Sequence, residues 1–317
     1  MPTPSLNQII RTITYSKLLV TFESVTDVEL PVYKGATFRG CMGEAFRRQV
    51  CKYRGLACEE CRLQGDCLFA FMYSKPLEKD HPAFGKFTLP PRPYILNPMP
   101  GNETQFAAGS RFGFELILIG DATQQLTAIL PAVFSQMGNS GIGKGRGKFH
   151  TVNLQYTGNT GEPEPILAIG LPYIHALDGA YTEESFTEIS LQFENPIRLL
   201  SARKPMKEPP GFDRLISNLA ARMALLANVY CHAPWLDTET LNLKSEVTMA
   251  SHNLEWVDWK HFSGPKKQHM NFDGYIGKIT YNGILTPWYN LLLAGEILHA
   301  GSTATFGLGK YRVELMV

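Results

Sequence analysis

Two glycine-rich loops occupy like positions in the two halves of the chain, and together they call for a repeated domain. The first reads Gly138-Asn-Ser-Gly-Ile-Gly-Lys-Gly-Arg-Gly-Lys-Phe149 and the second Gly301-Ser-Thr-Ala-Thr-Phe-Gly-Leu-Gly-Lys-Tyr311. Their ends match: Gly145-Arg146-Gly147-Lys148-Phe149 against Gly307-Leu308-Gly309-Lys310-Tyr311. Each loop follows an apolar helical stretch and runs into a strand-like one. Glycine lets a backbone adopt positive φ and approach a ligand closely. Successive N–H groups in such a turn form a concavity that binds anions. Basic residues beside the glycines suit a phosphate chain, so two such loops point to two similar domains gripping one nucleic acid.

The patterning between the loops supports the repeat. Leu18–Phe22 reads as a strand, and Phe38, Met42, Ala45, Phe46 and Val50 recur at helical spacing. Residues 51–90 are irregular and rich in Cys, Pro, Gly and charge, which reads as an insertion. Strands are expected near 93–96, 111–119 and 148–157. A helix is expected through Leu126, Ile129, Leu130, Val133, Phe134 and Met137, with Gly138 as its stop. The second half repeats the order: a strand over 186–193, a long amphipathic helix from Phe212 to Val229, strands over 254–260 and 274–281, a helix from Pro287 to Leu298, and a last strand over 310–315. Both halves approximate β-α-β-β-α-β, the ferredoxin-like arrangement, giving an α+β chain of two tandem domains, 1–181 and 182–317, with the boundary near Thr182. The length of 317 residues agrees with two domains.

Composition narrows the class. With 44% hydrophobic and 19% charged residues, the chain can bury two cores and is not disordered. It has no run of 18 apolar residues, so no membrane span is expected. Its start, Met1-Pro-Thr-Pro-Ser-Leu6, lacks the features of a signal peptide, so a cytoplasmic protein is expected. A net charge of +1 argues against a generic nucleic-acid coat but allows local basic grooves. Basic residues cluster at 144–150, 198–207 and 260–269.

Lys144, Arg146 and Lys148 are the phosphate candidates of the first loop. Gly307, Gly309, Lys310 and Arg312 are those of the second. The stretch Gly138–Lys144 fits the start of a P-loop, but Gly145 stands where Ser or Thr should hold Mg²⁺. The loop also leaves a helix and enters a strand, the reverse of a P-loop, which excludes nucleoside-triphosphatase activity. The bland alternative is a flexible connection.

Cys51-x6-Cys58-x2-Cys61-x5-Cys67 places four thiols in one short irregular segment. That set fits a tetrahedral structural Zn²⁺ site. An iron–sulfur cluster uses the same ligands, and disulfides are a further alternative, disfavoured in a reducing compartment. Four protein thiolates leave no open position, so no catalytic metal is expected. Cys41 and Cys231 read as small core residues.

Histidines are the candidate acid–base groups, since their pKa lies near neutrality. His261 and His269 flank Lys266 and Lys267 in Lys260-His-Phe-Ser-Gly-Pro-Lys-Lys-Gln-His-Met270. A histidine there could move a proton while Lys266 and Lys267 hold phosphate; a solvated basic loop is the competing reading. His150 lies just past the first glycine loop. In Trp256-Val-Asp-Trp259, packing within a sheet competes with base stacking.

The C-terminal half resembles the CRISPR-associated RAMP-superfamily endoribonucleases that process precursor crRNA, the sixth Cas protein family. The resemblance runs through Phe193-Glu-Asn-Pro-Ile-Arg-Leu199, Leu254–Trp259, Gly274–Gly283 and the terminal loop Gly301–Arg312, which is that superfamily's defining motif. The N-terminal half is similar through Tyr33–Gly40, the cysteine segment and Gly141–Gly147. The resemblance implies two ferredoxin-like domains, binding of CRISPR repeat RNA, and metal-independent cleavage. In that reaction the RNA's own 2′-OH attacks the adjacent phosphate to leave a 2′,3′-cyclic phosphate and a free 5′-OH. The chemistry needs a base, an acid and cations for the phosphorane, with His261, His269 and Lys267 as the candidates here. The family usually has Arg-Tyr-Ser where this chain has Lys260-His261-Phe262-Ser263. A non-catalytic RNA-binding subunit of a CRISPR effector, with other effector subunits as partners, is the second reading of the same resemblance. A structural RNA-binding protein with no CRISPR link is the third.

Overall fold

The computed structural model describes residues 4–87, 89–157, 163–165, 174–177, 185–201, 204–263 and 268–315. The boundary expected near Thr182 lies outside them. The chain divides into two compact units. One comprises Thr14–Ala176 with Val229–Cys231, and the other Met1–Ile13 with Leu177–Asn228 and His232–Val317. The first helix, α1 (Leu6–Thr12), thus belongs with the second unit. Ser5 caps it in a reciprocal box with Gln8, and Ile9 and Ile10 are its buried residues.

The first unit runs β1 (Thr14–Ser24), α2 (Gly35–Val50), α3 (Leu68–Tyr73), β2 (Tyr94–Pro98), β3 (Arg111–Ile119), α4 (Asp121–Leu126), α5 (Leu130–Ser140) and β4 (Phe149–Thr157). The main strands pair antiparallel in the order β2-β3-β1-β4, with the short strand Pro163–Pro165 continuing past β4. That is the ferredoxin-like order of the β-α-β-β-α-β path. Alternation along β1 buries Leu18, Val20 and Phe22 on one face. Helix α2 lays Phe38, Met42, Ala45 and Phe46 over that face, and α5 adds Val133, Phe134 and Met137. Phe22 sits at the centre, 4.8–6.0 Å between ring centroids from Phe112, Phe114, Phe134 and Phe149, largely edge-to-face.

Two expectations are corrected here. The stretch 126–137 is not one helix: the chain breaks between α4 and α5. Gly138 does not stop α5, which runs on to Ser140 with Gly141 as its cap. Gly138 is needed for another reason. A Cβ there would overlap the Phe149 carbonyl oxygen as β4 crosses the helix.

The second unit runs β5 (Glu188–Ile197), α6 (Phe212–Cys231, whose residues from Val229 on belong with the first unit), β6 (Thr248–Ser263), β7 (Gln268–Asn282), α7 (Tyr289–Leu298) and β8 (Tyr311–Leu315). Its sheet order is β6-β7-β5-β8, again antiparallel and again ferredoxin-like. Leu215, Ile216, Leu219, Met223 and Leu226 of α6 are buried with Ile189, Leu191 and Phe193 of β5. Rings pair across this core: Phe212 with Tyr281 at 5.1 Å and Phe193 with Tyr311 at 5.7 Å. Strands β6 and β7 are longer than their sequence pattern indicates. They pair as far as Ser263 with Gln268, whereas β7 meets β5 only as far as Tyr275 with Ile197, so the hairpin's far end is a two-stranded ribbon.

Residues 51–67 include no buried residue, and α3 is the helix that follows them. Among the described residues, no helix is long and apolar enough to cross a membrane.

Candidate nucleic-acid interface

The first glycine loop is an exposed cationic turn. Gly141, Gly143, Gly145 and Arg146 all have positive φ. The turn is closed by the Ile142 N–H donating to the Gly147 carbonyl at 2.9 Å and the Arg146 N–H to Gly143 at 3.3 Å. It is anchored by the Lys144 N–H donating to Glu29 at 3.0 Å. At Gly145 the space around the missing side chain is open, so a ligand can approach the backbone there. The Lys144 ammonium is 3.5 Å from Glu29, but its side chain is 82% exposed. The Lys148 ammonium donates to the Asn139 carbonyl at 2.6 Å and keeps its charge uncompensated by that neutral partner. Arg146 is exposed.

The second loop lacks an open tip of that kind at its glycine pair. Gly307, Leu308 and Gly309 are buried. The Gly309 N–H donates to Pro196 at 2.9 Å, the Asn195 carboxamide donates to the Gly307 carbonyl at 2.8 Å, and the Ala300 N–H donates to the Gly309 carbonyl at 3.0 Å. Lys310 and Arg312 converge on one carboxylate. Lys310 Nζ is 2.9 Å from Glu194 Oε2, and Arg312 Nε pairs with Glu194 Oε1. Burial pulls the Glu194 carboxyl upward, but the hydrogen bond and charge of Lys310, with Arg312 beside it, outweigh that and hold its pKa below the ordinary value. Gly307 and Gly309 therefore hold the loop against β5, and the two cations of the RNA-grip expectation are engaged within the protein.

The proposed acid–base residues fall on the β6–β7 ribbon. His261 is not in a loop, as its sequence setting implied. It lies within β6 opposite Met270, and His269 lies opposite Phe262. Lys266 and Lys267 lie outside the described residues. His150 is the second residue of β4, with its side chain 56% exposed and its Nε2 3.9 Å from Glu23. Trp256 is half-buried and packs edge-to-face on Tyr275, ring centroids 5.0 Å apart.

Cys51, Cys58, Cys61 and Cys67 are all half-buried free thiols. The Cys61 N–H donates to the Cys58 carbonyl at 3.2 Å, a tight turn. Among the described residues, no group of three or more His, Cys, Asp or Glu side chains is close enough to hold a metal ion. As folded here, the four thiols do not make the tetrahedral set that their spacing predicts.

The tertiary structure assembles one cluster that the sequence does not announce. Arg39 of α2 lies 5.6 Å over the Tyr73 ring, and Tyr73 is 5.5 Å from Tyr94 at the start of β2. Lys75 lies 5.3 Å from the Phe71 ring and 5.4 Å from that of Tyr230. Burial raises the pKa of both Tyr73 and Tyr94, so both hydroxyls keep their protons. Burial, reinforced by the charge of Arg39, lowers the pKa of Arg92, although Tyr230 and Tyr94 oppose it. Two guanidiniums, an ammonium and a set of tyrosines are thus drawn together from α2, α3, the approach to β2 and Tyr230. Arg39 was visible only as one residue of the Tyr33–Gly40 motif.

The family comparisons agree with this architecture. Residues 13–176 match the family model AF_1859_N, described as an N-terminal domain, and residues 191–311 match CRISPR-associated endoribonuclease Cas6. A protein of Archaeoglobus fulgidus, described only as uncharacterized, is 24% identical over 298 residues, 90% of this chain and 92% of its own length. Among solved structures, a partial Cas6-RT-Cas1–Cas2 complex has a TM-score of 0.57 at 13% identity, covering 100% of this chain and 48% of that one. This chain thus spans about half of that longer protein. A Cas6 product complex gives 0.55 at 13% identity, covering 94% and 100%, and a Thermus thermophilus Cas6 gives 0.51 at 11%, covering 95% and 99%. At such identities the structural likeness speaks for the fold.

Proposed function

Because the chain belongs to the AF_1859_N family and matches the CRISPR-associated endoribonuclease Cas6 over residues 191–311, we propose that it is a RAMP protein of the Cas6 type that cuts CRISPR repeat RNA in precursor crRNA to release guide RNAs. The observation that carries the reading is the match of the second ferredoxin-like unit, terminal glycine loop included, to that endoribonuclease domain. Structural neighbours of the same fold include a Cas6 product complex and an assembly with Cas1 and Cas2, which favours repeat RNA and other CRISPR proteins as partners.

In this reading the 2′-OH of the nucleotide 5′ to the scissile phosphate is the nucleophile. It loses its proton to a base and bonds to phosphorus, and the 5′-oxygen leaves as it takes a proton from an acid. A 2′,3′-cyclic phosphate and a 5′-OH result. Fixed cations stabilise the charge that builds on the phosphorane oxygens. Arg39 and Arg92 are suited to that task, because guanidiniums stay charged and grip phosphate oxygens in pairs. His261 and His269, with Lys267, remain the proposed proton-transfer group. Lys144, Arg146 and Lys148 would hold flanking phosphates, with Lys266 beside the histidines.

Zinc belongs to the same proposal as a structural element. All four cysteines are half-buried in a segment with no buried residue, so a metal would supply the core it lacks. Their thiols must draw closer than they stand here, and freshly purified protein should then carry about one zinc per chain. Protein without zinc or iron would remove this element.

The reaction is tested with repeat RNA carrying a single 2′-deoxy substitution 5′ to the cut, in excess EDTA. Unmodified RNA should be cut once and the substituted RNA not at all. Cutting of the substituted RNA would sink the mechanism, and tight binding without cutting of either RNA would favour the non-catalytic subunit.

A further inference from the structure

Helix α5 and strand β4 leave a groove of about 410 Å³ between them, within the usual size range of small-ligand sites, roughly 300–1,000 Å³. Pro131, Ser135 and Asn139 form its helical wall at spacings of four residues, all exposed. The strand wall is His150, Thr151, Val152, Asn153 and Leu154. Asn139, Ser135 and Thr151 are polar residues of its lining, and no carboxylate, lysine or arginine is among the lining residues. The Oγ1 of Thr151 is buried without a hydrogen-bond partner. A buried hydroxyl left unpaired is costly, and this one lies in the wall of the groove.

The strand is also shaped there. Pairing with β1 jumps from Asn153–Thr21 to Thr151–Phe22, so Val152 is an extra residue, a β-bulge. Bulges bend a strand and re-aim its side chains, and they concentrate beside functional sites. Val152 is 38% exposed as a result, an apolar surface among the polar groups. The short strand that continues the sheet pairs only with residues 155–157, so among the described residues no strand covers this side of Phe149–Leu154. At one end, Lys148 anchors its ammonium on the Asn139 carbonyl, next to Arg146 in the exposed glycine loop.

We infer that this groove receives one unpaired RNA nucleotide and reads its base edge, while the first glycine loop holds the neighbouring phosphates. The inference deepens the RNA-binding reading above and rests on it. Unpaired RNA bases are recognised by hydrogen bonds to their edges and by stacking on flat or apolar side chains. Asn139 offers a paired donor and acceptor, Thr151 and Ser135 offer single ones, and Val152 and Pro131 offer surfaces for the base plane. A peptide strand added to the open edge of β4 is the rival occupant.

The test scans the repeat RNA with single abasic nucleotides and measures affinity for the wild-type chain and for Asn139→Ala/Thr151→Val. One unpaired position should cost the wild type roughly 5- to 100-fold in affinity, and the same substitution should cost the double variant less than about 2-fold. Ser135→Trp fills the groove from its exposed wall and should mimic the abasic penalty with intact RNA. Thermal melting checks that both variants fold. An abasic profile identical in wild type and both variants overturns the inference. Retained RNA discrimination with loss of a Cas protein partner overturns it in favour of the peptide reading. Cleavage is scored in parallel: failure to cut with the abasic coupling intact would reject the endoribonuclease reading and leave the groove assignment standing.

Discussion

The two glycine loops share a sequence pattern and a place in the fold, yet they are built for different work. In the first, Gly145 is surrounded by open space, and the side chains of Lys144 and Arg146 point to solvent. In the second, Gly309 is buried against Ala300, and Lys310 and Arg312 share Glu194. A glycine motif therefore has two physical meanings. One is access of a ligand to backbone, and the other is access of backbone to backbone. The sequence pattern is blind to which applies: within the first loop Gly141, Gly143 and Gly147 press on the carbonyls of Arg146, Glu29 and Asp27, while Gly145 stands open at the tip.

Single alanine substitutions should separate the two meanings by the largest margin. Gly145 has φ +79° and Gly309 has φ +70°, so alanine in either place pays for a left-handed conformation, about 1–2 kcal/mol. At Gly309 the added Cβ would also overlap the Ala300 carbonyl oxygen, and backbone must move. Gly309→Ala should cost above roughly 4 kcal/mol or abolish folding. Gly145→Ala should fold normally. Denaturant unfolding checks both, and equal losses would erase the distinction.

The next effect concerns charge. Each phosphate contact with a single strand contributes about −0.7 to the slope of log affinity against log salt. Arg146→Ala/Lys148→Ala should flatten the slope by roughly one or more. Lys310→Ala/Arg312→Ala should change it by about half as much or less, because Glu194 already offsets one of those two charges and holds both side chains in place. Filter binding of repeat RNA at a series of salt concentrations gives both slopes. A larger change from the second pair would reverse the assignment of the loops.

Much of this architecture was readable from local pattern. Both β-α-β-β-α-β paths follow from helical and alternating spacings, and Leu18, Val20 and Phe22 or Phe38, Met42 and Phe46 announce their buried faces. What escaped was tertiary. Gly138 looked like a helix stop because the crossing of Phe149 over α5 leaves no mark near residue 138. His261 looked like a loop residue because the β6–β7 ribbon pairs only with itself beyond the three-strand part of the sheet. The Arg39, Tyr73, Tyr94 and Arg92 cluster joins three segments, none of which carries a motif for it. Glu194 is the sharpest case. It lies more than a hundred residues from Lys310, and only the register of β5 with β8, Phe193 opposite Tyr311, brings them together.

The smallest expected effect isolates that carboxylate. The Glu194 pKa is lower in the folded chain than in an unfolded one, so its ion pairs stabilise the fold above the unfolded pKa. That contribution fades as pH falls through the ordinary carboxylate range toward the lower folded value. Its size is limited, because the Arg312 side chain is 68% exposed and surface pairs contribute on the order of 0–1 kcal/mol. Glu194→Gln should therefore lose a little stability at pH 7, and the difference from wild type should shrink toward pH 3. The same substitution releases Lys310 and Arg312. If the second loop faces the RNA path, Glu194→Gln should bind repeat RNA more tightly and steepen the salt slope toward the value of the first loop. If the loop is purely structural, affinity and slope should stay as in wild type while the pH dependence of stability still changes. Measured together, unfolding from pH 3 to 7 and RNA binding at two salt concentrations show whether the second glycine loop has kept any part in holding RNA.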